Sequence, residues 1–247
     1  MNDNDLLNGL FYRLKEIKTG ECILHISEIR PNGKDFLTFY SEVTSHKAHI
    51  KEVPLFLYDD LFFISNDLVH FTSFLYLLKP FINDATKEAG TYFQNWYDAR
   101  YLSYASILHS SVYNFWDRIG DLLHCFFVTG LSDDKVYIGR VLNNFPKEHK
   151  TSANFQKIND IYNNHVRSLI FERNEDAHNQ STATTHYYKV ILGKGDKQKE
   201  QTQIKLCLPD IFKKQISFAY QAFKDALFLI DESCTDILEP EPHNKAN

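Results

Sequence analysis

The sequence predicts a mostly α protein: an antiparallel helical bundle of four to five long helices with one or two small β-hairpins. Three observations lead there. Glycine (9) and proline (7) are scarce among 247 residues, which argues against a sandwich or barrel that needs a turn every few residues. Ala105, Leu108, Val112, Trp116, Ile119, Leu123 and Phe126 recur at steps of three and four, so at about 100° per residue they share one helix face. Two pairs of β-rich runs each flank a turn-forming segment. Aromatic residues make up 15% of the chain, so the core should be bulky.

The elements follow in order. Residues 5–18 read as a helix. In 21–43, two β-rich runs flank Pro31-Asn32-Gly33-Lys34; Asn-Gly tolerates the positive φ of a hairpin turn, so a hairpin is expected. A helix over 59–79 stops at Pro80. The run "LFLYDDLFFISNDLVHFTSFLYLL" is interrupted by Asp59, Asp60, Asn66, Asp67 and His70. A bilayer core penalises such residues, so this is expected to be a buried helix and no membrane partner is implied. A helical region runs from about 84 to about 128, with Gly130 as its stop. A short helix near 134–144 leads to a loop at Pro146, and a long helix spans 153–178 with Phe155, Ile158, Tyr162, Val166, Leu169 and Ile170 on its apolar face. A second hairpin is expected at 186–208, with its tip at 193–202. Pro209 opens the last helix, about 209–237. The chain divides into an N-terminal helix and hairpin extension (1–55), a helical domain (56–238) carrying the second hairpin, and a disordered tail (239–247).

The net charge of −5 carries no global basic footprint for coating duplex DNA. Cys22, Cys125, Cys207 and Cys234 are scattered, with no C-x-x-C pair, so neither a zinc site nor a disulfide framework is suggested. Their number and the N-terminus, without a basic and apolar leader pattern, point to the cytoplasm. No H-E-x-x-H, phosphate-cradling loop or G-x-S-x-G is present, and neither metal nor cofactor is expected.

One stretch breaks the helical pattern. In "FERNEDAHNQ" (171–180), Arg173 projects near the centre of the apolar face, in line with Val166 and Ile170. Asn174 and His178, four residues apart, fall together on its flank. An unpaired buried guanidinium is costly, so Arg173 needs a carboxylate, a route to water, or a cleft. The residue types suit metal-independent RNA cleavage: histidine as general base or acid, arginine for charge building on phosphorus. On a straight helix Arg173 and His178 point about 140° apart. A twofold partner would bring the missing group, and with it a second histidine.

Arg173-Asn174-Glu175-Asp176-Ala177-His178 resembles the R-x(4–6)-H motif of the HEPN superfamily (higher eukaryotes and prokaryotes nucleotide-binding domains), many of whose members carry Asn or His after the arginine. The loose spacing alone is weak, since about one chance match is expected here, and Arg118–His124 is a second one. Asn174 supplies most of the specificity. The resemblance covers roughly 59–237. It implies an all-α bundle, a homodimer with two motifs in one cleft, and an endoribonuclease acting on RNA with Arg173 and His178 catalytic and Asn174 in support. Toxin–antitoxin or phage defence is the implied setting, with an antitoxin protein as partner. Sites of this type often take a polar residue from an earlier helix, here Asp117 or Asn114. Other members of the superfamily have lost the motif and only bind, so a non-catalytic RNA- or protein-binding module is the rival expectation. In that rival, Arg173 is a core-edge cation paired with a carboxylate and His178 sits at a helix end. Arg118, His124, Asn114, Asp117 and Asp121 otherwise read as a solvated face, and His165 as a satisfied core histidine.

Overall fold

The computed structural model describes residues 3–82, 95–170 and 196–237. These residues are mostly helical, with seven α-helices and, among them, no strand beyond one isolated bridge. The helices are α1 (Asp3–Gly20), α2 (Phe36–His46), α3 (Leu57–Leu78), α4 (Trp96–Phe126), α5 (Ile138–Asn143), α6 (Ala153–Ile161) and α7 (Asp196–Ser233). α3 packs along α4, and α7 packs against α3, α4 and α6. α5 sits on α4, α1 on α3, and α2 on α7.

α1 ends in a Schellman motif. Ile23 N–H donates to Lys18 C=O at 2.9 Å and Cys22 N–H to Thr19 C=O at 3.2 Å. The position between them must be left-handed, and Cys22 takes it (φ 53°) although Gly20 lies two residues earlier. Ile23, one step on, is buried against the core.

The expected hairpin at 21–43 does not form. Asn32 and Gly33 adopt positive φ (51° and 79°), so the turn chemistry is that of Asn-Gly. The chain leaving the turn is α2, capped by Asp35, whose carboxylate accepts from Thr38 N–H at 2.9 Å. Phe36, Phe39, Tyr40 and Val43 are buried. Their spacing of three, four and seven makes one helix face, and that face meets α7: the Phe36 ring stacks on Phe223 at 5.1 Å and Phe39 meets Phe228 at 5.0 Å. Helical burial outweighed the β-propensity of the aromatic residues.

The second expected hairpin fails too. Residues 186–195 lie outside the described residues, but 203–208 are helical, inside α7. Pro209, expected to open the last helix, lies within it. A proline has no N–H for the carbonyl four residues earlier, here that of Lys205. The buried Tyr101 hydroxyl fills the gap, donating to Lys205 C=O at 2.7 Å. The proline is tolerated because α4 satisfies the carbonyl it orphans.

α3 through Phe81 is long and apolar enough to cross a membrane by length and composition, and it is a core helix here. Leu61, Ser65, Leu68, Thr72 and Leu75 are fully buried, and the Ser65 hydroxyl bonds both Tyr220 Oη on α7 and Ile26 N–H. α4 runs the whole length of the core, opened by a capping box between Asn95 and Asp98. At Gly120 it crosses the start of α5 so closely that a Cβ there would lie 3.1 Å from the backbone of Ile138. After α7 the chain returns alongside residues 46–48: Ala48 N–H donates to Thr235 C=O (2.8 Å) and Ile237 N–H to His46 C=O (2.7 Å). The expected tail, 239–247, lies outside the described residues.

Candidate functional site

Arg173, Asn174 and His178 lie outside the described residues. The helical run that leads into them is described to Ile170. Ser152 caps α6, accepting from Asn154 N–H at 3.2 Å. Ser152 Oγ and Asn154 Nδ2 donate to the two carboxylate oxygens of Glu232 (2.5 and 3.0 Å), which clamps the start of α6 to the end of α7. Phe155, Ile158, Ile161, Val166, Leu169 and Ile170 are buried, as the apolar face requires.

Between α6 and the helical residues 167–170 the backbone passes through a π-helix, Tyr162–Val166. A π-turn widens the helix and leaves backbone carbonyls poorly matched. Gln215 of α7 answers this, its Nε2 donating to His165 C=O at 2.8 Å. Tyr162 is wedged against α5, where a Cβ on Gly139 would collide with its hydroxyl, and its ring is 6.0 Å from Trp116. His165 is exposed, not the core histidine expected; the π-turn carries it out to lie flat on Phe218, centroids 4.4 Å apart and planes 9° apart.

On α4 the polar residues separate by role. Asn114 is exposed. Asp117 is half-buried and accepts from Ile138 N–H at 3.3 Å, so its carboxylate caps the N-terminus of α5. Arg118 pairs with Asp121 (3.1 Å) and with Asp60 of α3 (3.7 Å). Burial pushes the Asp121 carboxyl above its ordinary range, with Arg118 opposing.

His124, expected on a solvated face, is buried. Lys51, 73 positions away, and Thr129, in the loop after α4, close over it. His124 Nε2 lies 2.8 Å from Lys51 Nζ and its Nδ1 lies 2.6 Å from Thr129 Oγ1. Lys51 also donates to Asp133 at 2.5 Å and holds that carboxyl below its usual value. This Lys51–His124–Asp133 group is a second titratable cluster. Its sequence signal was only the Arg118–His124 spacing, and the structure divides that pair between two environments. Among the described residues no group of His, Cys, Asp or Glu side chains is placed to hold a metal ion.

α7 also buries Asp225, whose Oδ2 has no hydrogen-bond partner among the described residues. Burial raises its carboxyl above the ordinary value, with Lys224 and Lys157 opposing. A raised carboxyl means that the folded state holds the proton more tightly than the unfolded chain. The penalty is therefore absent below the unfolded-state value, grows as pH rises toward the folded value, and is complete above it. Asp225→Asn is expected to raise the thermal midpoint at pH 7, with a gain that vanishes near about pH 3. A variant less stable at both pH values would show that the carboxylate has a partner it needs.

Compared with protein-family models, curated proteins and solved structures, the chain matches none.

Proposed function

We propose that this protein is a HEPN-like, metal-independent endoribonuclease that works as a cytoplasmic homodimer, with helices packed as an antiparallel bundle and a role in toxin–antitoxin or phage defence. The observation that carries this reading is the strict Arg173-Asn174-x-x-x-His178 spacing, in the sequence just beyond a helical run described to Ile170 whose apolar face is buried. The π-turn at Tyr162–Val166 adds support, because such turns cluster near functional sites. Leu6, Leu7, Leu10 and Phe11 of α1 are exposed, apolar surface of the kind that self-association covers.

In this reading His178 of one protomer takes the ribose 2′-OH proton. The 2′-oxygen attacks phosphorus, Arg173 stabilises the negative charge, and the 5′-oxygen leaves with a proton from the partner subunit's His178. Asn174 orients the histidine. An antitoxin protein would act by covering the cleft. The acid and base exchange one proton each, so kcat should be bell-shaped in pH.

A non-catalytic RNA- or protein-binding module is the second reading, and one observation favours it. Asp117, the carboxylate expected to complete a cleft, is committed to the α5 backbone. The experiment is RNA cleavage by the purified dimer in the presence of a chelator. His178→Ala is expected to lose at least about a hundredfold in rate while keeping its circular dichroism and thermal midpoint. Wild-type protein that never cuts RNA, or a variant that cuts equally well, decides for the module.

A further inference from the structure

Between the segment that follows α1 and the outer face of α7 lies a groove of about 500 Å³, within the ordinary size range of ligand sites. Its inner wall is apolar, made by Ile23, Ile29 and Ile216. Its outer edge is one stripe of α7 in which Lys213, Ser217, Gln221 and Lys224 follow at intervals of four, four and three.

The charges around it are unequally matched. Asp210, at one end, accepts from the Tyr76 hydroxyl at 2.6 Å and lies 3.5 Å from Lys79. Lys213 is 3.5 Å from Glu21. Lys214 and Lys224 line the groove as well, and among the described residues neither forms an ion pair with any carboxylate within 4.0 Å. Ten helical residues separate them, about 15 Å of rise. The groove is thus an apolar trough with an ammonium outside any close ion pair toward each end. A single small anion could not reach both, and an uncharged lipid would leave both unused.

We propose that this groove binds an elongated organic dianion: an apolar middle of acyl-chain length with a carboxylate-type group at each end. The chain lies on Ile23, Ile29 and Ile216. One terminus is held by Lys214 with the Ser217 hydroxyl, the other by Lys224 with the Gln221 amide. Cys22 opens its exposed thiol into the same groove, so occupancy has a chemical reporter.

The test uses the full chain and three probes of equal length: dodecanedioate, laurate and dodecanediol. Calorimetric titration should rank them in that order, with laurate about tenfold weaker than dodecanedioate, one charged contact being lost. Lys224→Gln should bring dodecanedioate to the affinity of laurate, and Lys214→Gln should do the same. Both lysines are at the surface of α7, so both variants should fold, which circular dichroism checks. Dodecanedioate should also slow alkylation of Cys22, followed by peptide mass spectrometry, and leave alkylation of Cys207 and Cys234 unchanged. Equal affinities for dodecanedioate and laurate, lysine variants that bind like wild type, or a Cys22 that reacts at the same rate under saturation would each overturn the proposal.

Discussion

Asp98→Ala is expected to lower the unfolding free energy by about 3–5 kcal/mol, the usual cost of removing one member of a buried ion pair. Asp98 is fully buried at the start of α4 and Lys205 nearly so in α7, and the two are in direct contact. The carboxylate has two duties. Its Oδ1 takes the Lys205 ammonium, and its Oδ2 accepts from Asn95 N–H at 3.0 Å in the capping box. Removing it strands a buried cation and opens the first turn of a 31-residue helix. It also loosens the α7 segment whose carbonyl is held by Tyr101. Asp98→Asn combined with Lys205→Met should recover most of the loss, because an amide can still accept the Asn95 N–H and an apolar chain needs no counter-charge. Denaturant unfolding of Asp98→Ala and of the Asp98→Asn, Lys205→Met double variant measures this. A single-variant loss below about 1 kcal/mol would mean that the pair is open to water in solution.

The second large effect is expected at Phe223. Its fully buried ring lies 5.1 Å from Phe36 and 6.3 Å from both Tyr40 and Phe115, joining α2, α4 and α7 in one aromatic cluster. Phe223→Ala should cost about 3–5 kcal/mol, including the ring–ring contacts. The loss should be global. Ile23, Ile26, Phe36 and Val43 belong to the same core cluster as the helices after residue 56, so amide exchange in α2, α4 and α7 should accelerate together. Exchange that rises in α2 alone would show that residues 1–55 form a separable unit.

Legibility differed from residue to residue. The stripe from Ala105 to Phe126 identified α4, and Trp116, Ile119 and Leu123 are indeed fully buried. α2 was not read, although its signals are local: Asp35 caps it and Phe36, Phe39, Tyr40 and Val43 are helically spaced. Asn-Gly favours positive φ but leaves the next element open, so the turn residues alone suggested a hairpin where a helix forms. The helical run from Ala153 was readable along its apolar face to Ile170. The π-turn within it was not, because nothing in YNNHV announces that Gln215 waits on α7 to take the His165 carbonyl.

By itself the sequence determined where helical faces lie and where caps and stops act, because these depend on side chains within about one turn of each other. It also carries the Arg173-Asn174-x-x-x-His178 spacing on which the functional proposal rests. Only the tertiary structure decided the rest. "QIKLCLP" alternates like a strand, yet it is helix, because Asp98, 107 positions away, neutralises Lys205 and Tyr101 repairs the carbonyl that Pro209 leaves open. His124 looked solvated until Lys51, 73 positions away, closed over it. In each case the deciding partner is remote in the chain, so local pattern could not weigh the desolvation of a buried polar group against the contact that offsets it.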